Sequence, residues 1–217
     1  MTAASTAILL FSRSAAAESR AKALGRSERV AGAFIQCTER VLARSGLPVL
    51  RSDETDQRGS EFGSRLAAAV QRVFERGFER VIVVGNDCAS LRTSHLRAAA
   101  NLLERGRNVL GPDHRGGAWL IGLQRANFDA RAFAELRWET ADTYTDLAAL
   151  LPEARTLGWL HDLNRLADLR RLWHLLRNRF SKLYELLFGP TPALAGKGVM
   201  PGAVVVIRRK GRGPPSA

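Results

Sequence analysis

Cysteine is scarce: the 217 residues hold two, Cys37 and Cys88. A lone pair this far apart is neither a disulfide framework nor a zinc-ligand spacing. Lysine is scarce as well, 4 against 29 arginines, so the bias in basic residues fits an Arg-rich coding preference as readily as a function. No apolar run comes near the roughly 18 residues of a spanning helix. No basic residue precedes the short apolar run at 7–11, so a secretory signal is not expected. Gly-x-Gly-x-x-Gly and Walker-A strings are both missing, which removes support for dinucleotide and P-loop readings. The four histidines, His95, His114, His161 and His174, show no HExxH-like pairing. These absences leave a soluble, cytoplasmic protein as the expectation.

What is present is an ordinary globular composition, 46% hydrophobic and 25% charged, enough to bury a core. At about 150 residues per average domain, the length suggests one α/β domain plus an appendage. The formal charge of +12 is uneven: residues 151–217 carry a net +8 and residues 1–150 only +4. Basicity is therefore mainly a property of the C-terminal third, and the isoelectric point alone does not argue for nucleic acid.

Two runs read as strands covered on both faces, Ala7-Ile-Leu-Leu-Phe11 and Val81-Ile-Val-Val84, because neither alternates. Between them, spacing predicts a helix over 27–44 with Val30, Ala33, Phe34, Cys37 and Val41 on one face, a short strand at 48–50, and a helix over 62–76 with Leu66, Val70, Val73 and Phe74 inward. Gly77 lies just past that helix. A further helix is expected after Thr93 or Ser94 as cap, with Leu96, Ala99, Leu102 and Leu103 inward. Asn108-Val-Leu110, a loop over 111–117 and a strand over 118–123 follow. The alternation predicts a three-layer α/β fold with a mostly parallel sheet. Residues 166–188 carry an amphipathic helical pattern, and the Gly/Pro-rich stretch from 189 is expected to be weakly ordered. The expected domains are 1–171, a basic amphipathic helix at 172–188, and a tail at 189–217. That helix could lie on an anionic membrane, or the tail touch nucleic acid, but packing against the sheet domain fits its apolar stripe better.

Three places could carry chemistry. Gly85-Asn86-Asp87-Cys88 follows the second strong strand, and open parallel sheets bind ligands outside the carboxyl ends of their strands. A carboxylate there could hold Mg²⁺ or Mn²⁺ on a diphosphate, or Asp87 could simply cap the next turn. Cys88 reads as a core thiol, since the adjacent carboxylate works against a thiolate. In Gly111-Pro-Asp-His-Arg-Gly-Gly117 the glycine pair allows close backbone approach and Arg115 suits an anion, with an ordinary turn as the alternative. Arg13, Arg20 and Lys22 follow the first strand in a Ser/Ala stretch. They could neutralise phosphates or be solvated surface charge.

At these residues, over about 7–172, the chain resembles the radical-SAM/selenodomain-associated transferases, which look like small GT-A-type glycosyltransferases. Arg20 and Lys22-Ala-Leu24 resemble the family's basic loop. Gln57-Arg-Gly-Ser-Glu-Phe-Gly-Ser-Arg65 resembles its Gln-x-Gly-x-x-Leu/Phe-Gly-x-Arg segment. Gly85 to Leu91 resembles Gly-x-Asp-Ser/Cys-Pro-x-Leu, Gly111 to Gly122 resembles Gly-Pro-x-x-Asp-Gly-Gly-x-Tyr-Leu-Ile-Gly, and Trp138-Glu-Thr140 resembles Trp-x-Thr. The resemblance implies a GT-A-like fold and a metal-dependent transfer from a nucleotide-sugar donor to an unspecified acceptor. It implies Asp87 as the catalytic, metal-binding acid, with Asp162 and Asn164 as further metal ligands. Arg13, Arg20, Lys22, Gly85 and Asn86 would hold the nucleotide, and Asp113, Arg115, Gly116, Gly117 and Trp138 the acceptor or a phosphate.

The departures fall on acids. Arg115 stands where the family has Asp before Gly-Gly, Ala89 where it has Pro, and Asp162-Leu-Asn164-Arg165 where it has Asp-x-Asp-Thr. Two other readings therefore stay open. One is nucleotidyl transfer onto a phosphorylated cofactor precursor, disfavoured by the missing Gly-rich phosphate loop. The other is a degenerate, non-catalytic nucleotide-binding domain.

Overall fold

The computed structural model describes residues 5–21 and 28–161. Lys22, Asp162, Asn164, the helix expected near 166–188 and the tail after it lie outside the described residues. Among the described residues, six strands form one sheet: β1 (Thr6–Phe11), β2 (Val49–Ser52), β3 (Arg80–Val84), β4 (Val109–Pro112), β5 (Ala118–Gln124) and β6 (Arg155–Thr156). Their spatial order is β2-β1-β3-β5-β4-β6. The sheet is mixed and mostly parallel: β5 runs antiparallel to both β3 and β4, and every other pairing is parallel. The expected α/β class is what the structure shows. The reversal of β5 was not expected. It arises because β4 and β5 are joined by five residues, too short for the crossover that two parallel neighbours need.

The described residues form six α-helices, α1 (Ala15–Ala21), α2 (Glu28–Ala43), α3 (Phe62–Glu75), α4 (Thr93–Glu104), α5 (Ala130–Ala134) and α6 (Thr143–Leu150). Along β1, Ala7, Leu9 and Phe11 join a core cluster with α3, α5 and α6, while Ile8 and Leu10 join one with α2 and α4. That two-sided burial explains the unbroken apolar runs of β1 and β3. Each fully buried Leu, Ile or Val contributes about 1.5–3 kcal/mol of transfer free energy.

Three local expectations change. Residues 15–21 are helix rather than loop: three consecutive alanines favour it, and Ser14 Oγ caps it by accepting the Ala17 N–H at 3.3 Å. The inner face of α2 is rotated from the expected one, burying Ala31, Thr38 and Leu42 while Ala33 and Cys37 are only half-buried. The residue preceding α4 is Arg92, not Thr93 or Ser94. Its backbone N–H donates to His95 Nδ1 at 3.3 Å, while the Thr93 hydroxyl donates to the Val41 carbonyl and ties α4 to α2. No described helix is long and apolar enough to cross a membrane.

Candidate functional site

The carboxyl ends of β1 and β3 open into a cleft of about 510 Å³, within the range of small-ligand sites and where an α/β sheet places them. β1 delivers Ser12 and Arg13 to it, and β3 delivers Gly85, Asn86 and Asp87. The opposite wall is built from Asp113, Arg115 and Gly117 of the β4–β5 loop and from residues 138–141. Phe62 and Arg65 at the start of α3 form the third side.

The β1–β3 side of the cleft is lined by polar residues. Asn86 is 6% exposed, and its side-chain amide makes no hydrogen bond to a described residue. An amide has two donors and an acceptor oxygen, and leaving such a group buried and unsatisfied costs about 1–3 kcal/mol. The cleft is the side from which a partner can come. A Cβ on Gly85 would lie 2.5 Å from Asp87 Oδ1, so the carboxylate folds back over a backbone that only glycine leaves open. Arg13 is exposed at the cleft and has no ion pair among the described residues.

The loop that carries Arg13 is anchored from below. Gln57 Nε2 donates to the Ser12 and Ser52 carbonyls at 3.2 and 3.1 Å, joining the ends of β1 and β2. Glu54 Oε2 accepts the Ser14 N–H at 2.7 Å, and the Ser14 hydroxyl donates to its other oxygen. Those two bonds, with the Arg20 charge nearby, hold the Glu54 carboxyl below its usual range. Arg20 therefore sits exposed on α1 beside Glu54 and is not among the lining residues.

On the other side, the residues are engaged with one another. Asp113 is 5% exposed, its Oδ1 accepts the Arg115 N–H at 2.5 Å, and its own N–H donates to the Gly117 carbonyl at 3.0 Å. A Cβ on Gly117 would lie 2.4 Å from Asp113 Oδ2. Gly116 has φ +87°, and a Cβ there would lie 1.9 Å from the Ala141 carbonyl oxygen. Both glycines thus serve close approach within the protein. Trp138 Nε1 donates to the Phe133 carbonyl at 2.8 Å, and its ring packs on Phe62 and Phe133 with centroids 5.5 and 4.9 Å away. Beside it, Glu139 lines the cleft with φ +59°, the one positive φ at a non-glycine residue among those described.

The structure brings Arg13, Gly85, Asn86, Asp87, Asp113, Arg115, Gly117 and Trp138 to one cleft, with Gly116 beside it. Sequence reasoning missed Glu18, Arg65 and Glu139 as lining residues. Arg65 closes the quoted Gln57 motif, and Glu139 is the unspecified middle of Trp138-Glu-Thr140, so only the first carried a signal. Cys88 is buried, as a core thiol should be. The scattered histidines include one unexpected contact, a His114–His161 stack at 4.0 Å. Among the described residues, no three His, Cys, Asp or Glu side chains gather into a metal-binding group.

Residues 36–140 match the model of a family described as an uncharacterized protein conserved in bacteria, DUF2064. No curated protein matches the chain. Among solved structures, a "putative nucleotide-diphospho-sugar transferase" from Desulfovibrio desulfuricans G20 superposes with a TM-score of 0.73. It is 23% identical, over 85% of this chain and 94% of that one. The two chains share a fold. A homolog of Mycobacterium tuberculosis Rv0371c from Mycobacterium sp. strain JC1 is 15% identical over 81% of this chain and 98% of that one, with a TM-score of 0.50. The manganese complex of Rv0371c from Mycobacterium tuberculosis H37Rv is a looser match still, with a TM-score of 0.46 at 16% identity over 78% and 97% of the two chains.

Proposed function

We propose that this protein is a metal-dependent glycosyltransferase that takes its sugar from a nucleotide-sugar donor. The observation that carries the reading is the polar edge of the cleft: Asp87 at the end of β3 next to the buried amide of Asn86, which bonds no side chain or backbone group among the described residues. The fold shared with the structure described as a "putative nucleotide-diphospho-sugar transferase" supports the same reading.

The donor set fits Mg²⁺ or Mn²⁺ in one particular way. Asp113 is spent on its own turn, and no cluster of three ligating side chains exists among the described residues. That suits a cation bound by one or two carboxylates and completed by substrate phosphate and water, the usual arrangement for Mg²⁺. Asp87 would hold it, with Asp162 and Asn164 as candidates outside the described residues. When bound, such a cation neutralises charge on a departing diphosphate. Arg13 adds a cation to the same side of the cleft, Asn86 offers paired donor and acceptor to a ribose or a base edge, and the aromatic wall of Phe62 and Trp138 excludes water. These fixed charges and dipoles, set before the donor arrives, are the means by which such a site lowers a barrier.

The test is calorimetry with a panel of nucleoside diphosphates, with and without Mn²⁺, on the wild type and on Asp87→Ala. The expected result is Mn²⁺-dependent binding of at least one nucleotide, weakened at least about tenfold in the variant, the low end of what loss of a metal-site contact costs. Failure of the wild type to bind any member overturns the reading.

A further inference from the structure

Glu139 combines three properties. Its backbone stands at φ +59°, a region that costs a non-glycine residue and survives only where the surroundings over-determine it. Those surroundings are built around Arg137. Its guanidinium bonds Asp146 through Nε at 2.8 Å and NH2 at 2.6 Å, and Asp142 through NH1 at 2.5 Å. Its carbonyl accepts the hydroxyls of Thr140 and Thr143, each at 2.8 Å. The two neighbours of Glu139 in the chain are fixed as well, Trp138 on the Phe133 carbonyl and Thr140 on Arg137. Finally, Glu139 lines the cleft, is exposed, and makes no side-chain hydrogen bond or ion pair with a described residue. A frame this elaborate around a strained residue whose side chain bonds no described residue has its return in the cleft.

We propose that Glu139 is the general base that takes the proton from the attacking hydroxyl; this rests on the glycosyltransferase reading above. The other lining carboxylates have other tasks: Asp113 holds its turn, Glu18 is buried, and Asp87 is the proposed metal acid. In the step assigned here the acceptor oxygen forms a bond to the anomeric carbon of the donor sugar. The bond from that carbon to the β-phosphate oxygen breaks, its electron pair leaves on the nucleoside diphosphate, and the acceptor proton passes to a Glu139 oxygen. A single displacement of this kind inverts the anomeric centre.

The probe is water as acceptor with a panel of nucleotide sugars and Mn²⁺. Release of nucleoside diphosphate is followed, and the first-formed sugar anomer is read by NMR. Glu139→Gln should lower kcat by about 100-fold or more, the usual worth of general-base catalysis, with nucleoside diphosphate binding by calorimetry unchanged and an inverted anomer from the wild type. Glu139→Gly should lose turnover equally while its Tm stays level or rises, because glycine relieves the strain. A structural role predicts the reverse, a fall in Tm with turnover kept. Wild-type turnover in Glu139→Gln, a retained anomer, or a wild type that binds nucleoside diphosphate yet releases none from any donor each overturns the assignment of Glu139. Absence of any nucleotide binding overturns the glycosyltransferase reading instead, and the assignment with it.

Discussion

The two walls of the cleft use the same residue types for opposite purposes. On the β1–β3 side, among the described residues, the buried Asn86 amide meets no partner and Arg13 has no ion pair. On the β4–β5 side, Asp113 accepts the Arg115 N–H, Trp138 donates to Phe133, and both glycines of the pair sit against neighbouring protein atoms. A polar side chain at a pocket is a ligand candidate only once its hydrogen bonds have been accounted for. By that measure the first wall is organised for binding, and the second is organised to hold its own shape and to present Glu139.

The sharpest way to break the second wall is Gly116→Ala. The added methyl meets the Ala141 carbonyl oxygen, and φ +87° is unfavourable to alanine. Strain and clash together should cost about 3 kcal/mol, read as a lower urea midpoint at unchanged slope. A midpoint within about 0.5 kcal/mol of wild type would mean that the two loops are not locked as described. Asp113→Ala should come next, at about 2 kcal/mol, since it strands the Arg115 N–H and hollows the turn. In Asp87→Ala the balance should invert, with nucleotide affinity falling and less stability lost than in Asp113→Ala. If Asp113→Ala instead left stability intact and removed metal-dependent binding, the division between the walls would be wrong.

How much of this the sequence made legible depends on what each residue is doing. β1 and β3 were readable because burial on both faces leaves an unbroken apolar run, and α3 because its buried Leu66, Val70, Val73 and Phe74 keep helical period. The direction of β5 leaves no trace in composition, so its reversal was invisible. The helix at Ala15–Ala21 has no apolar stripe to announce it. Asp87 was readable as a strand-end acid. Asp113 looked similar on paper, and its burial and its bond to the Arg115 N–H show only in the fold. Glu139 was illegible for a stronger reason: nothing in Trp138-Glu-Thr140 says that the glutamate adopts a conformation glycine prefers.

The smallest effect should come from the anchor beneath the first wall. The Ser14 hydroxyl and N–H, aided by the Arg20 charge, lower the Glu54 carboxyl from its usual 4.5. A carboxyl depressed on folding adds stability that is fully present above its unfolded value and lost as pH falls through the folded one. Wild type should therefore lose stability relative to Glu54→Gln, which cannot titrate, as pH drops below about 4.5. Glu54 is largely solvated, so screening keeps the difference to a few tenths of a kcal/mol, about 0.3. A local readout suits so small a term better than a global one: amide exchange at Ala17 and Glu18, in the first turn of α1, should quicken on acidification in wild type and stay flat in Glu54→Gln once intrinsic exchange is subtracted. Equal behaviour of the two proteins would show that Ser14 caps α1 unaided. The loop bearing Arg13 would then be fixed by the two carbonyl bonds of Gln57, which join the ends of β1 and β2.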